Sequence, residues 1–128
     1  MDNIKIAASE RTPEVDFDFQ NNVFILRGES YPEDVSAFFG PVVGQFEEHL
    51  SALEGATLRF DFEFIYFNSS TAKIVMGLLD KLEESAQNGN KVTVRWLYEE
   101  DDENMQELGE EFGEDLEHAE FRLEALSD

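Results

Sequence analysis

Thr57-Leu58-Arg59-Phe60-Asp61-Phe62-Glu63-Phe64-Ile65-Tyr66-Phe67-Asn68-Ser69-Ser70-Thr71 contains the change of period on which the fold turns. From Leu58 to Tyr66 every second residue is apolar. Ile65 and Phe67 add apolar side chains to the opposite face, so residues 57–67 read as a central strand. Beyond Asn68, Ile74, Val75, Leu78, Leu79, Leu82 and Ala86 recur at spacings of three and four, which predicts an amphipathic helix over 72–87 closing at Asn88-Gly89-Asn90. Between the two lie three consecutive hydroxyls, Ser69, Ser70 and Thr71. They stand beside the unpaired backbone N–H groups of a first helical turn. Those N–H groups and the positive end of the helix dipole favour an anion, so a phosphate on Ser69 is tolerated there. Asn, Ser and Thr are also the preferred helix caps, and the same run can serve as a cap and nothing more.

Working outward, Val15, Phe17 and Phe19 alternate with Asp16 and Asp18, and Gln20-Asn21-Asn22 separates them from Val23 to Leu26, a β-hairpin pattern. Val35, Phe38, Phe39, Val42, Val43, Phe46, Leu50 and Leu53 then form one helical stripe ending at Gly55. Pro41 lies inside that stripe, which predicts a kink or a restart near Gly40. Lys91 to Tyr98 returns to a period of two, with Val92, Val94 and Trp96 on one face. Met105, Leu108, Phe112 and Leu116 give a third helix over 101–117 with an acidic outer face, and Phe121 and Leu123 a short last edge strand. The expected fold is a single α/β domain over residues 1–128 in the order β-β-α-β-α-β-α-β. Its mixed sheet has four to five strands and three helices, residues 1–12 form a flexible lead, and residues 57–98 make a right-handed parallel crossover.

Composition narrows the function. Nine Lys and Arg against 30 Asp and Glu leave a net charge of −21 in 128 residues, which repels nucleic acid and anionic membrane and favours basic protein partners. With 12 Phe, 3 Tyr and 1 Trp the acidic residues belong to a folded domain rather than a disordered tail. No cysteine is present, which removes disulfides and thiolate chemistry. Neither a signal-peptide pattern nor an apolar run long enough to span a membrane occurs, so a cytoplasmic location without membrane insertion is expected.

No motif supports catalysis, a metal or a cofactor. His49 and His118 are the only histidines, no spacing resembles a calcium loop, and the glycines never fall into a phosphate-loop pattern. The run Glu99-Glu100-Asp101-Asp102-Glu103 can hold a divalent cation loosely, but the ordinary reading is a charged loop leading into a helix N-terminus. A hydrolase using Ser69 with His49 or His118 has no local nucleophile signature. Lys73, four residues after Ser69 on the same helical face, can pair with a phosphate or stand as a solvated surface lysine. The competing non-enzymatic account is a constitutive acidic adaptor that docks through the helix over 101–117.

The corner from Phe60 to Thr71 resembles the strand-to-helix phosphorylation site of anti-sigma factor antagonists, the STAS-domain proteins, where the usual pattern is Asp-Ser-Ser-Gly. The chain is more closely similar, along nearly its whole length, to the SiaC family of bacterial biofilm regulators. Three stretches carry that resemblance: Gly28-Glu29-Ser30-Tyr31-Pro32-Glu33, Tyr66 to Lys73, and Val94-Arg95-Trp96-Leu97-Tyr98 leading into Asp102 to Asp115. The resemblance implies a STAS-like fold and a phospho-switch rather than an enzyme. It implies a dedicated Ser/Thr kinase of the histidine-kinase-like ATPase fold and a metal-dependent Ser/Thr phosphatase as partners. It also implies an unmodified form that binds and activates a diguanylate cyclase, controlling cyclic-di-GMP and biofilm formation. The family's acceptor falls on Ser69. The related pattern is a threonine followed by two serines where this chain has Ser69, Ser70 and Thr71, so Thr71 is the second candidate. Asn68, Ser70, Thr71 and Lys73 are the expected partner-binding surroundings.

Overall fold

A computed structural model of the chain describes residues 2–126. Strands β1 (Ile4–Ile6), β2 (Glu14–Asp18) and β3 (Val23–Ser30) are followed by helix α1 (Val35–Ser51), β4 (Thr57–Phe67), α2 (Ser69–Gln87), β5 (Lys91–Glu99), α3 (Glu103–Gly113) and β6 (Glu120–Leu126). All six strands form one mixed sheet whose spatial order is the sequence order. The first three are antiparallel neighbours, and β3 to β6 run parallel. Every parallel connection therefore steps the same way across the sheet. With right-handed crossovers, all three helices fall on one face.

Burial agrees with that arrangement. Val15, Phe17, Phe24, Leu26, Leu58, Phe60, Phe62, Val92, Val94 and Trp96 form one cluster with Phe39, Val42 and Phe46 of α1, Val75, Leu78 and Leu82 of α2, and Met105 of α3. Aromatic rings run through this core without a break. Phe17, Phe24, Phe46 and Phe60 are in mutual edge-on, tilted or stacked contact. The chain of rings continues through Phe62 to Trp96 and Phe112. Each such pair adds about 0.5–1.5 kcal/mol beyond its buried area. The other sheet face is polar and held by ions across the strands. Asp61, only 2% exposed, takes two hydrogen bonds from Arg95 at 2.9 and 2.7 Å, and Arg59 Nε stands 3.2 Å from the same carboxylate.

The sheet has six strands where the sequence pattern predicts four to five, because Ile4-Lys5-Ile6, in the segment expected to be a flexible lead, pairs with Val15 to Phe17. Three residues carry too little alternation to announce a strand, and β1 exists only because β2 offers it a free edge. Helix α1 is continuous through Pro41. A restart is not found, although Pro41 deprives the Ala37 carbonyl of its usual donor. Helix α3 is shorter than residues 101–117, bounded by the Asp102 side chain accepting from Met105 N–H and by Gly113. Gly109 and Gly113 face inward, where a Cβ would lie 2.4 Å from the Trp96 ring and 2.4 Å from the Phe121 ring respectively. The helix comes this close to the sheet because those two positions lack a side chain.

Candidate functional site

Three helices begin at the C-terminal ends of the parallel strands: α1 after β3, α2 after β4 and α3 after β5. Each start is capped by a side chain that accepts a backbone N–H: Asp34 from Ala37, Asn68 from Thr71 and Asp102 from Met105, all at 3.0 Å. Two of the caps are carboxylates that offset the positive helix end. The cap of α2 is a neutral amide, and its first turn holds no acidic residue. Ser69 is the first residue of this helix and is exposed, as are Ser70 and Lys73. Asn68 is half-buried. Ala72 N–H and Thr71 N–H are both taken by Asn68, through its carbonyl at 2.9 Å and its side chain. Among the described residues, the amides of Ser69 and Ser70 have no partner and Lys73 no ion pair.

Thr71 differs from the reading as a second acceptor and partner contact. Its side chain is fully buried, and its Oγ1 donates to the Ser30 carbonyl at 3.2 Å while lying 2.9 Å from Ser30 Oγ. The two hydroxyls satisfy each other if Ser30 O–H donates to Thr71 Oγ1 and Thr71 O–H donates to the Ser30 carbonyl. The same carbonyl accepts from Asn68 N–H at 3.1 Å. Ser30 and Thr71 thus tie the start of α2 to the end of β3, and Thr71 offers no hydroxyl to a solvent-borne partner. No local pattern marks Ser30 for this role, because its partner is 41 residues away.

A register shift shapes the rest of the corner. Gly28 pairs with Phe64 but Glu29 pairs with Tyr66, so Ile65 is an extra residue in β4. Gly28 sits at φ +111°, a conformation open to glycine, where the β3 side of this irregularity bends. Past the bulge the alternation inverts. Phe67 turns to the core against Phe64, Trp96 and Phe112, while Ile65 is 64% and Tyr66 52% exposed. Tyr66 therefore does not continue the buried row of Leu58, Phe60, Phe62 and Phe64. Its ring lies edge-on to Tyr31, with centroids 6.0 Å apart.

Neither histidine reaches this end of the molecule. His49 is at the end of α1, its Nε2 2.6 Å from Asn22 Oδ1 and its ring against Phe19 and Phe24, and burial lowers its pKa. His118 Nδ1 is 2.8 Å from Glu83 Oε2. Glu83 is fourteen residues along α2 from Ser69, about 21 Å at 1.5 Å per residue. A triad of Ser69 with either histidine is not assembled. Glu83 instead accepts from the backbone N–H groups of Glu117, His118 and Ala119, fastening the segment that enters β6. No described helix is long and apolar enough to cross a membrane.

Comparison with known proteins gives a consistent picture. Residues 6–126 match the family model described as the SiaC family regulatory phosphoprotein. A protein of Pseudomonas aeruginosa strain UCBPP-PA14 is 36% identical over 115 residues, covering 90% of each chain. The crystal structure of apo-SiaC from Pseudomonas aeruginosa superposes with a TM-score of 0.88 at 36% identity, covering 98% of this chain and all of that one. SiaC in its complex with the diguanylate cyclase SiaD, of which it is the activator, from the same organism, superposes with a TM-score of 0.90 at 36% identity over 96% and 99% of the two chains. The match spans the sheet, all three helices and the corner described above, and on that evidence the chain belongs to the SiaC family of regulatory phosphoproteins.

Proposed function

We propose that this protein is a non-enzymatic switch whose unmodified form binds and activates a diguanylate cyclase, and that phosphorylation of Ser69 releases it. A Ser/Thr kinase of the histidine-kinase-like ATPase fold adds the phosphate, and a metal-dependent phosphatase removes it. One observation carries the choice of Ser69. Among three helix starts at the same edge of the sheet, only that of α2 lacks a carboxylate in both cap and first turn, and it presents an exposed hydroxyl with Lys73 one turn on. The cyclase partner is supported by the complex in which SiaC of Pseudomonas aeruginosa, 36% identical, activates SiaD.

The chemistry of release follows from charge. A phosphate brings about −1.5 to −2 charges and three strong acceptor oxygens, tolerated by the open helix end of the free protein. Against a partner surface shaped for a hydroxyl, it must shed water without equivalent donors. Each ~1.4 kcal/mol of that cost weakens binding tenfold.

The test is co-expression with the kinase and cyclases of the source organism, followed by intact-mass and peptide mapping. Wild-type protein takes one phosphate, mapped to Ser69. Ser69→Ala takes none and still binds the cyclase, while Ser69→Asp binds at least tenfold more weakly. Full labelling of Ser69→Ala, or equal affinity of Ser69→Asp and wild type, overturns the assignment.

A further inference from the structure

The exposed large hydrophobic side chains among the described residues are Ile65, Tyr66 and Met76, at 64%, 52% and 48% exposure. All three lie within seven residues of Ser69: Ile65 and Tyr66 four and three positions before it, Met76 seven after. This placement is not a by-product of the core. The chain buries Phe17, Phe24, Phe39, Phe46, Phe60 and Phe62 almost completely, and the bulge at Ile65 is what turns Tyr66 outward beside Ile65. Met76 stands on the solvent stripe of α2, Ser69-Lys73-Met76-Asp80-Glu84-Gln87, as its one apolar member. Two helical turns, about 10 Å, separate it from Ser69. Along the chain, exposed apolar side chains thus precede and follow the acceptor hydroxyl.

Apolar side chains grouped on an otherwise charged surface mark a contact that excludes water, and aromatic residues at the centre of such contacts carry most of the binding energy. We infer that Ile65, Tyr66 and Met76 are the apolar anchors of the effector interface, with Ser69 between them and Tyr31 supporting the Tyr66 ring. This rests on the reading of the protein as a cyclase-binding switch and names the surface that does the binding. The occupant is an apolar groove of the cyclase with a basic rim. The charge of this chain requires the rim, because −21 overall, with Glu103, Glu107, Glu110 and Glu111 exposed on α3 and Glu99, Glu100 and Asp101 leading into it, attracts cations to this end. In the free protein a phosphate between these anchors has water, Lys73 and the open amides of Ser69 and Ser70 to meet it; seated against an apolar groove it loses that hydration, so binding and modification exclude one another.

Titration calorimetry of the cyclase against wild type, Ile65→Ala, Tyr66→Ala, Met76→Ala and the remote surface variant Gln87→Ala tests this, with kinase labelling of each variant and thermal melts as companions. Tyr66→Ala is expected to weaken binding at least tenfold, and Ile65→Ala and Met76→Ala about three- to tenfold each. Gln87→Ala stays within twofold of wild type, and all four variants melt cooperatively and still accept one phosphate. Wild-type binding left within twofold by all three anchor variants overturns the interface while leaving the cyclase reading intact. Absence of any cyclase that binds wild type overturns the cyclase reading and this inference with it. If an anchor variant melts early, Tyr66→Phe decides the matter: retained affinity supports the anchor, and affinity as low as that of Tyr66→Ala argues against it.

Discussion

Replacing Glu83 by Gln removes one negative charge at the meeting of α2 with the segment entering β6, and the structure fixes both the size and the pH range of the effect. Burial of the carboxylate raises its pKa. That is outweighed by the Ala119 N–H, the His118 ring, and the N–H groups of His118 and Glu117, which together hold the carboxyl at about 2 against an ordinary 4.5. A displacement of that size corresponds to roughly 3 kcal/mol. The side chain is 13% exposed at the rim of the fold, and screening there reduces the expected loss to about 2 kcal/mol. Because the folded-state pKa lies below the unfolded one, the stabilisation is fully present above pH ~4.5 and is lost as pH falls toward about 2. Urea denaturation of wild type and Glu83→Gln at matched pH isolates it, since the self-repulsion of the other carboxylates is common to both. The gap should be about 2 kcal/mol at pH 7 and shrink steadily below pH 4.5. A gap under 0.5 kcal/mol at pH 7, or one that stays level from pH 6 to pH 2.5, refutes the account of Glu83 as a charged fastener.

Asp61→Ala leaves the guanidinium groups of Arg95 and Arg59 without their shared carboxylate and should cost about 3 kcal/mol in chemical denaturation; a loss below 1 kcal/mol would show that the pair contributes little. Gly109→Ala gains about 1 kcal/mol of helix propensity, yet its Cβ meets Trp96 Cδ1 at 2.4 Å and disturbs the 3.0 Å bond from Trp96 Nε1 to the Met105 carbonyl. The net effect should be a destabilisation of about 1–2 kcal/mol with a shifted Trp96 emission, and a stabilised variant would refute the packing. Thr71→Val strands the Ser30 hydroxyl and should cost about 2 kcal/mol while the protein still accepts one phosphate; loss of labelling would make Thr71 the acceptor.

Much of this architecture is legible in the residues because local period and burial coincide. Thr57–Phe67 has the same bounds in sequence and structure, and the helical stripes around Phe39, Val75 and Met105 are the buried ones. The features that are not legible depend on contacts between distant positions. The inversion at Tyr66 arises from the pairing of β4 with Gly28 and Glu29, and period counting along one strand cannot see an extra residue in a two-strand register. Thr71 reads as a second-choice acceptor among three consecutive hydroxyls until Ser30 arrives beside it, and nothing local marks Glu83 until residues 117–119 fold over it. Gly109 and Gly113 carry no signal of their own within a helix read over 101–117, whereas they are the contact points of α3 with Trp96 and Phe121.

The identity between sheet order and chain order bears on how this molecule is made. As synthesis proceeds from β1 to β6, each new strand finds its neighbour already laid down, and none must wait for a later segment to insert between two earlier ones. Assembly can therefore advance from one edge to the other as the polypeptide emerges, with only one hairpin or one helical crossover to close at each step. The β4 to α2 corner is reached midway through this progression. The ring of Trp96 and the fastening of Glu83 arrive only afterwards, so a nascent chain cut short before β5 would present Ser69 on an unfinished platform.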